Sequence, residues 1–590
     1  MRVLDRRFLR GPNIYRMEPC FVSLLDLEDH RPVVVDGLQG DAGFLQRLLP
    51  GSSASLYLDS AEVARLLARL MFAAQSLAGS PATFCDAVRL APTAPLRYRL
   101  LSSYQHEAVV EQAFLLSVEF VTALLGRQPF NFETRLKELT TLSDARAIPP
   151  AAQTRLTSAR QRGIPVLRHE DDRRIPVIAV TGTNGKTTTT QLISHVLRAC
   201  GTRTGTTTTQ GIYIDGQCVE TGDCSGFSSA RRVLTDPRVE LATLETARRA
   251  ILKRGLAFDR CDVGVVLNVS VDHLGLDGVD TLHDLTQVEG LVARCARTAA
   301  VLNAEDNLCV ALRHTLSPGC QAVFFATDPR NPVLLEHLKT GGAGALLDDD
   351  GWLVWCHGAM RSKVVRAADI PFTLAGHARH NIANALAALA ALRCLDYKIT
   401  AIARALTGFD CDARTNPLRG NLFEVDGVTL VVDSANNAAA YRALCDMARS
   451  MHNTAARLLG VITSPGDRRS EDLFETGRMC GIGFDELVVY EHHPRGRGPG
   501  FTMQEILRGA RSAAPGKPLH GEPTIRQALS RGLAAANPGD LLVFTCAGTL
   551  NDVVEGVRLT NPAAAERIVR EIAPLRPWRD ERKTGESAYR

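Results

Sequence analysis

The sequence lacks several features that would place a protein in a specialised class. None of its 15 cysteines lies in a C-x-x-C pair and their number is odd, which argues against a disulfide framework and a clustered zinc site and favours small buried hydrophobes. The formal net charge is only +4 over 590 residues, too small an excess to indicate nucleic-acid binding. With 45% hydrophobic and 22% charged residues, the composition is that of an ordinary soluble globular protein.

Long apolar runs are also missing. No uninterrupted apolar run approaches the roughly 18 to 20 residues that a membrane span needs. The N-terminal segment, MRVLDRRFLRGPNIYR, has no apolar core that could act as a signal peptide. The sequence therefore predicts a cytoplasmic protein without a membrane partner.

The chain is too long for one hydrophobic core, and its patterns divide it into three folded units. Residues 1–145 combine a strand-like start with two amphipathic helical stretches, which indicates a small α+β domain. The polar, proline-bearing stretch 146–175 is typical of a linker. Residues 176–414 and 415–590 each alternate apolar runs with helical patterns. This alternation predicts two α/β domains, with parallel sheets covered on both faces.

A glycine- and threonine-rich loop between a strand and a helix is the strongest functional signal. It lies within residues 179–197, AVTGTNGKTTTTQLISHVL. Its backbone N–H groups can converge on phosphate oxygens at a helix N-terminus, with Lys186 adding positive charge and the Thr187 hydroxyl placed to bind Mg²⁺. Val180 stands where a strict P-loop has its first glycine, and a turn without a ligand is the alternative. The predicted ATP-binding residues of this loop are Thr183, Asn184, Gly185, Lys186, Thr187 and Thr188.

The sequence around this loop resembles that of the Mur ligase superfamily and, within it, that of the cyanophycin synthetase branch. The resemblance is carried by VTGTNGKTTTTQLISHVL, YIDGQCVETGDCSG, TLETARRAILKRGLAFDRCDVGVVLNVSVDHLG, VITSPGDRRSEDL and HPRGRGPG, and by the N-terminal LRGPNIYRMEPCFVSLLDLED. It implies a Mur-like P-loop central domain and a Rossmann-like C-terminal domain. It also implies ATP and Mg²⁺ as cofactors.

The sequence differs from that branch in two features, the ATP-grasp domain and a metal-binding helix of the N-terminal unit. The branch carries an ATP-grasp ligase domain after the N-terminal unit, and here only about thirty residues occupy that place, far below the size of a domain. Some members also carry a His-x-x-Glu-His helix, and the matching positions here are Arg65, Ala68 and Arg69, which cannot form that metal site. The helix then presents either a solvated basic face or a surface that docks an acidic polymer.

The resemblance also implies which residues help to activate the acceptor carboxylate. Glu245, at the end of VELATLE, and His273, in NVSVDHLG, match positions that hold magnesium together with Thr187. Glu289 stands where the superfamily has a lysine that is carbamylated to help hold a second magnesium. Its carboxylate either replaces the carbamate or belongs to a solvated helix residue. The predicted catalytic residues are Lys186, Glu245, His273 and Glu289.

Further matches concern the nucleotide and the acceptor. Asn381 and Asn384 match residues that face adenine, and Arg419 and Asp433 match residues that reach the nucleotide from the last domain. After Asp433 the family pattern Asp-Tyr-Ala-His-Asn-Pro is changed by Ser434, Asn436 and Ala438. The segments 206–211 and 222–226 fall where the family binds its carboxylate substrate, although threonine also simply favours strands.

Together these observations predict an ADP-forming acid–amino-acid ligase that joins an amino acid to a carboxylate of a peptide or poly(amino acid) through an acyl phosphate. The alternatives are a nucleotide-binding scaffold and a ligase for a small metabolite, of the folylpolyglutamate synthetase type. A separate ATP-grasp ligase is a candidate partner, and a homo-oligomer is expected.

Overall fold

The computed structural model describes residues 1–36, 55–90, 96–146, 175–410, 412–451 and 456–572. Within these ranges the strands form sheets of four, eleven and six strands and one two-stranded sheet. The predicted linker 146–175 falls almost entirely outside the described residues, as does the C-terminal stretch from 573 onward.

The N-terminal unit packs helices on one face of an antiparallel sheet with the strand order β1-β2-β6-β5. The predicted strand near residue 20 and both predicted helices are confirmed. The elements are β1 (Arg2–Leu9), β2 (Cys20–Asp26), β3 (Val33–Asp36), β4 (Ser55–Leu58), α1 (Ser60–Leu77), β5 (Cys85–Arg89), β6 (Arg97–Ser103), α2 (Glu107–Leu125) and α3 (Phe132–Asp144). Within α1, Ala68 is buried, whereas Arg65 is exposed and pairs with Glu62.

Helix α2 corrects the expectation that no apolar run is long enough for a membrane. Its 19 residues meet the length and composition of a membrane span. The helix packs in the core of the N-terminal unit, where Val110, Phe114 and Val121 are fully buried beside Phe21 and Leu25 of β2. The buried face explains the apolar composition, because a helix covered by a sheet and by neighbouring helices needs few polar positions.

A short main-chain pairing docks the N-terminal unit on the central domain. The Arg10 amide donates to the Arg254 carbonyl over 2.7 Å, and the Leu256 amide donates to the Pro12 carbonyl over 2.8 Å. Gly11 lies between them, and a Cβ there would sit 2.1 Å from the carbonyl oxygen of Leu256. Only glycine fits this approach, because the opposing atom is rigid backbone.

Gly11→Ala is therefore expected to weaken this docking by about 1–3 kcal/mol, the usual cost of overpacking. Hydrogen exchange at the Arg10 and Leu256 amides would measure the effect as a loss of protection. Gly498→Ala is the matched control, because a Cβ at Gly498 meets nothing within 4 Å. Equal protection in both variants would contradict the assignment.

The central domain is built on a mixed sheet rather than the parallel sheet expected. Seven neighbouring strands, β8-β11-β7-β12-β13-β14-β15, are parallel, and antiparallel strands extend both edges. The apolar runs IPVIAV, VELATLE, DVGVVLN, TAAVLN and QAVFF, which the sequence predicts as strands, all lie in the parallel part. The strands are β7 (Val177–Thr181), β8 (Thr204–Thr208), β9 (Gly211–Ile214), β10 (Gln217–Thr221), β11 (Leu241–Glu245), β12 (Cys261–Val266), β13 (Ala296–Asn303), β14 (Gln321–Ala326), β15 (Ala343–Leu347), β16 (Trp352–His357) and β17 (Met360–Arg366).

Helices cover both faces of this sheet. The alanine-rich helix α10 (Arg379–Arg393) is almost wholly buried. Its small side chains allow close packing against helix α4 (Lys186–Ala199) and the sheet. The helices are α4 (Lys186–Ala199), α5 (Phe227–Thr235), α6 (Arg248–Arg254), α7 (Leu282–Arg294), α8 (Asn307–Ala311), α9 (Pro332–Lys339), α10 (Arg379–Arg393) and α11 (Ile399–Leu406).

The C-terminal domain has a second sheet with the order β18-β19-β23-β20-β21-β22, parallel except for the edge strand β18. The apolar runs VTLVVDS, RLLGVIT, FDELVVYE and GDLLVFTCAG, which the sequence predicts as strands, form β19, β20, β21 and β23. The elements are β18 (Arg419–Val425), β19 (Val428–Asp433), α12 (Ala438–Met451), β20 (Leu458–Ile462), α13 (Ser470–Gly483), β21 (Glu486–Tyr490), α14 (Phe501–Ala513), β22 (Leu519–Glu522), α15 (Ile525–Ala535), β23 (Leu541–Thr545), α16 (Leu550–Arg558) and α17 (Pro562–Ile572).

The cysteines behave as small hydrophobes. Of the fourteen in the described ranges, nine are buried and the other five are partly buried. Burial raises the pKa of these thiols, for example that of Cys445 to about 12. Among the described residues no group of three or more His, Cys, Asp or Glu residues is placed to hold a metal ion.

Candidate active site

A cleft of about 970 Å³ lies between the central and C-terminal domains, at the carboxyl ends of the central parallel strands. This edge is where open α/β sheets bind their ligands. The structure brings every site residue predicted from the sequence to the wall of this one cleft. These residues are Thr183, Asn184, Gly185, Lys186, Thr187, Thr188, Glu245, His273, Glu289, Asn381, Asn384, Arg419 and Asp433.

The glycine- and threonine-rich loop of residues 182–185, called the phosphate loop below, connects β7 to α4. Gly182 and Gly185 have φ angles of +130° and +89°, a backbone conformation that favours glycine. A Cβ at Gly185 would also meet Asn384 Oδ1 at 2.4 Å. Lys186 Nζ donates to the carbonyl oxygens of Gly182 and Thr183 over 2.6 and 2.9 Å. The loop therefore curls around the Lys186 ammonium group.

Thr187 and Glu245 meet at the first turn of α4. Glu245 Oε2 accepts the Thr187 hydroxyl over 2.9 Å and the Thr209 amide over 3.1 Å. Burial raises the pKa of Glu245, and the nearby Lys186 cation opposes the shift. Among the described residues nothing donates a hydrogen bond to Glu245 Oε1. A buried carboxylate oxygen of this kind, beside a hydroxyl, fits the oxygen ligands that Mg²⁺ prefers.

Glu289 is buried on α7, with 3% of its surface exposed. The alternative of a solvated helix residue is therefore wrong. Burial raises the pKa of Glu289 to about 8, and Lys186 opposes the shift. Its Oε2 atom also has no hydrogen-bond donor within the part of the chain described. The carboxylate thus lies on the cleft wall near the lysine of the phosphate loop.

His273 sits in a different arrangement from Thr187 and Glu245. Its two ring nitrogens lie 3.0 Å from Nη1 and Nη2 of Arg468, a residue of the C-terminal domain. Burial and this cation lower the pKa of His273 to about 4, against the influence of Asp272. Arg468 Nε lies 2.8 Å from Asp272 Oδ1. The imidazole is thus neutral at physiological pH and faces a guanidinium.

Helix α10 brings the asparagines expected near adenine to the cleft wall, with Asn384 beside the phosphate loop. Asn381 Nδ2 donates to the Phe372 carbonyl over 2.8 Å, and Asn384 Nδ2 lies 3.2 Å from Asn381 Oδ1. His380 on the same helix also lines the cleft. Burial lowers the pKa of His380, and Asp433 across the cleft opposes the shift.

The C-terminal domain reaches the phosphate loop directly. Asn437 and Asn184 form a reciprocal amide pair, with N···O distances of 3.0 and 3.2 Å. Arg419 Nη1 donates to the Ser434 hydroxyl and, over 2.9 Å, to the Leu418 carbonyl. Sequence reasoning overlooked Asn437, although it matches the asparagine of the family pattern after Asp433. It also overlooked His380 and Arg468.

Family comparisons agree on one superfamily. Residues 180–392 match the model of the Mur ligase middle domain, and residues 418–548 match that of the Mur ligase glutamate ligase domain. Cyanophycin synthetase of Synechocystis sp. is 42% identical over 346 residues, which cover 58% of this chain and 39% of that protein. The chain spans about two fifths of the length of the cyanophycin synthetases it matches.

More distant similarities extend to other ligases. A UDP-N-acetylmuramoyl-L-alanyl-D-glutamate–2,6-diaminopimelate ligase of Xanthomonas campestris is 27% identical over 341 residues, which cover 56% of this chain and 65% of that protein. A solved structure of the bifunctional folylpolyglutamate synthase/dihydrofolate synthase of Yersinia pestis aligns with 18% identity and a TM-score of 0.46. That alignment covers 65% of this chain and 88% of the other.

Proposed function

The chain carries the middle and C-terminal domains of the Mur ligase family, and we propose that it is an ATP-dependent, ADP-forming ligase. It joins an amino acid to a carboxylate of a peptide or poly(amino acid) related to cyanophycin. The observation that carries the proposal is the grouping of Lys186, Thr187, Glu245 and Glu289 on one wall of the cleft, with two buried carboxylate oxygens that lack donors among the described residues.

The chemistry follows from where negative charge collects. An oxygen of the acceptor carboxylate attacks the γ-phosphorus of ATP, the bond to ADP breaks, and an acyl phosphate forms. The amine nitrogen then attacks the acyl carbon, loses a proton, and expels phosphate as the amide forms. Lys186 and the loop amides stabilise the charge on the transferred phosphoryl group, because preorganised cations and N–H donors act most strongly on developing charge.

The residues present fit a magnesium ion. Thr187 and Glu245 would hold one ion through oxygen atoms, and Glu289 would help to hold a second; a bound ion would neutralise phosphate charge and orient the γ-phosphoryl group. His273 would join these ligands only if Arg468 withdrew from its ring nitrogens. Glu289 carries its own carboxylate, so no carbamylated lysine is needed in this site.

The remaining predicted residues bind the nucleotide in this proposal. Asn381 and Asn384 flank the adenine, while Arg419 and Asp433 reach the nucleotide from the C-terminal domain. All four line the cleft. Asn437 supports the same arrangement, since its amide pair with Asn184 holds the C-terminal domain against the phosphate loop.

The proposal predicts that sustained ADP release requires both an acceptor carboxylate and an amino acid, because without an amine the acyl phosphate occupies the site and turnover stops after about one ADP per site. Coupled ADP detection with pools of amino acids and acidic peptides would measure this, and omission of either pool is the control. ADP release that needs no acceptor would indicate a simple ATPase. No stimulation by any pool would favour the scaffold alternative.

A further inference from the structure

One short helix, α6, carries three cations on the cleft wall beyond Glu245. Arg248, Arg249 and Lys253 all line the cleft, and Arg249 and Lys253 are exposed there. Arg248 donates to the Leu276 carbonyl over 2.5 Å. In the described ranges, neither Arg249 nor Lys253 has a carboxylate within ion-pair distance. The last two therefore present free positive charge to the cleft.

The positive charges of Arg249 and Lys253 are not balanced by an ion pair within the described residues. Arg249 and Lys253 are four residues apart, and like charges at this spacing repel each other and destabilise a helix. Arg248 and Arg249 also stand in the first turn of α6, which has no acidic residue, and cations are disfavoured there. The nearby carboxylates Asp277 and Asp272 act on Arg248, and in the described ranges neither forms an ion pair with Arg249 or Lys253. An anionic ligand would supply the missing charge.

The spacing of Arg249 and Lys253 indicates which class of anionic ligand fits them. Three residues separate Glu245, the last residue of β11, from Arg249 on α6. Lys253 follows one helical turn beyond, about 6 Å farther along the axis. Alternate side chains on one face of an extended peptide repeat at about 6.6 Å. The two cations therefore match the spacing of carboxylates on every second residue of an extended acidic peptide.

We infer that Arg249 and Lys253 form a subsite for additional carboxylates of an acidic peptide acceptor, beyond the carboxylate that reacts. The inference rests on the proposed function and deepens it, because it selects acceptors with several acidic side chains over a single carboxylate. Arg249 and Lys253 determine specificity in this scheme and take no part in phosphoryl transfer.

Binding measurements test the subsite without requiring turnover. Fluorescence anisotropy would compare tetra-aspartate and single aspartate, each joined to a neutral fluorophore, on the unmodified protein and on three variants. Arg249→Ala/Lys253→Ala removes the pair, and Arg249→Lys/Lys253→Arg exchanges the residues and keeps the charge. Arg254→Ala is the matched control, because Arg254 is an exposed cation of the same helix and does not line the cleft.

The unmodified protein is expected to bind tetra-aspartate about tenfold more tightly than single aspartate, the size of two partly exposed ion pairs. The alanine pair should lose that preference, while the charge-keeping pair and Arg254→Ala should stay within about twofold of the unmodified protein. Equal losses in the alanine pair and in Arg254→Ala, or no preference in the unmodified protein, would overturn the subsite. Tetra-aspartate binding with these properties but without any acceptor-dependent ADP release would overturn the proposed ligase activity alone.

Discussion

Replacing Lys186 with alanine is expected to lower ATP turnover by about a hundredfold or more, because a group that stabilises charge in the transition state commonly contributes about 3 to 4 kcal/mol. In the structure Lys186 Nζ lies over the phosphate loop, held by the carbonyl oxygens of Gly182 and Thr183. Steady-state ADP release in the presence of acceptor and amino acid would measure the loss.

The control for this variant must separate catalysis from folding. Lys398→Ala removes a lysine from an exposed position at the start of α11 and is expected to leave turnover unchanged. Thermal unfolding of both variants would show whether the loop survives the loss of its two Nζ hydrogen bonds. Normal turnover in a folded Lys186→Ala variant would refute the ATP site.

Glu289→Gln is expected to raise the magnesium requirement about tenfold or more, in line with the losses seen when even an outer-shell partner of a metal is removed. Glutamine keeps the size of the side chain and removes the negative charge that Glu289 carries once a bound cation lowers its pKa. Nucleotide binding at the Lys186 loop should therefore persist while acyl-phosphate formation slows. Magnesium titrations of the ADP-release rate, together with nucleotide binding measured separately, would resolve the two effects.

Bicarbonate supplies a sharper comparison at the same position. The unmodified protein should be indifferent to bicarbonate, because Glu289 already has a carboxylate. Glu289→Lys restores the residue of the superfamily, and its activity is expected to depend on bicarbonate. Glu336→Gln, on the exposed pair with Lys339, is the matched control. An unchanged rate and unchanged magnesium dependence in Glu289→Gln would show that this carboxylate takes no part in metal binding.

The parts of the site that are local in sequence were predictable. The strand–loop–helix pattern of residues 177–199 specifies the phosphate loop by its glycines, lysine and threonines. Glu245 ends a buried strand, and neighbouring parallel strands bring their carboxyl ends to one edge. The apolar periodicity of α7 also indicates that Glu289 is buried. Leu285, Val288 and Val292 form an apolar stripe on α7, and Glu289 falls within it, four residues after Leu285.

Contacts between distant segments could not be predicted in the same way. Asn437 lies 253 residues from Asn184, and Arg468 lies 195 residues from His273, so no local pattern links them. The antiparallel edges of the central sheet escaped notice for a related reason. Strand β8 reads TGTTT, and the antiparallel strands β9 and β10 have only four and five residues. Threonine occurs both in strands and in ligand-binding loops.

The amide pair between Asn184 and Asn437 joins nucleotide binding and domain association in one thermodynamic cycle. In the proposed function, a nucleotide bound to the loop would change the environment of Asn184 and hence the free energy of the contact with the C-terminal domain. Reciprocity then requires that the association of this domain changes nucleotide affinity by the same factor. A substitution at Asn437, on a domain apart from the loop, would therefore be detected as a change in the ATP dissociation constant.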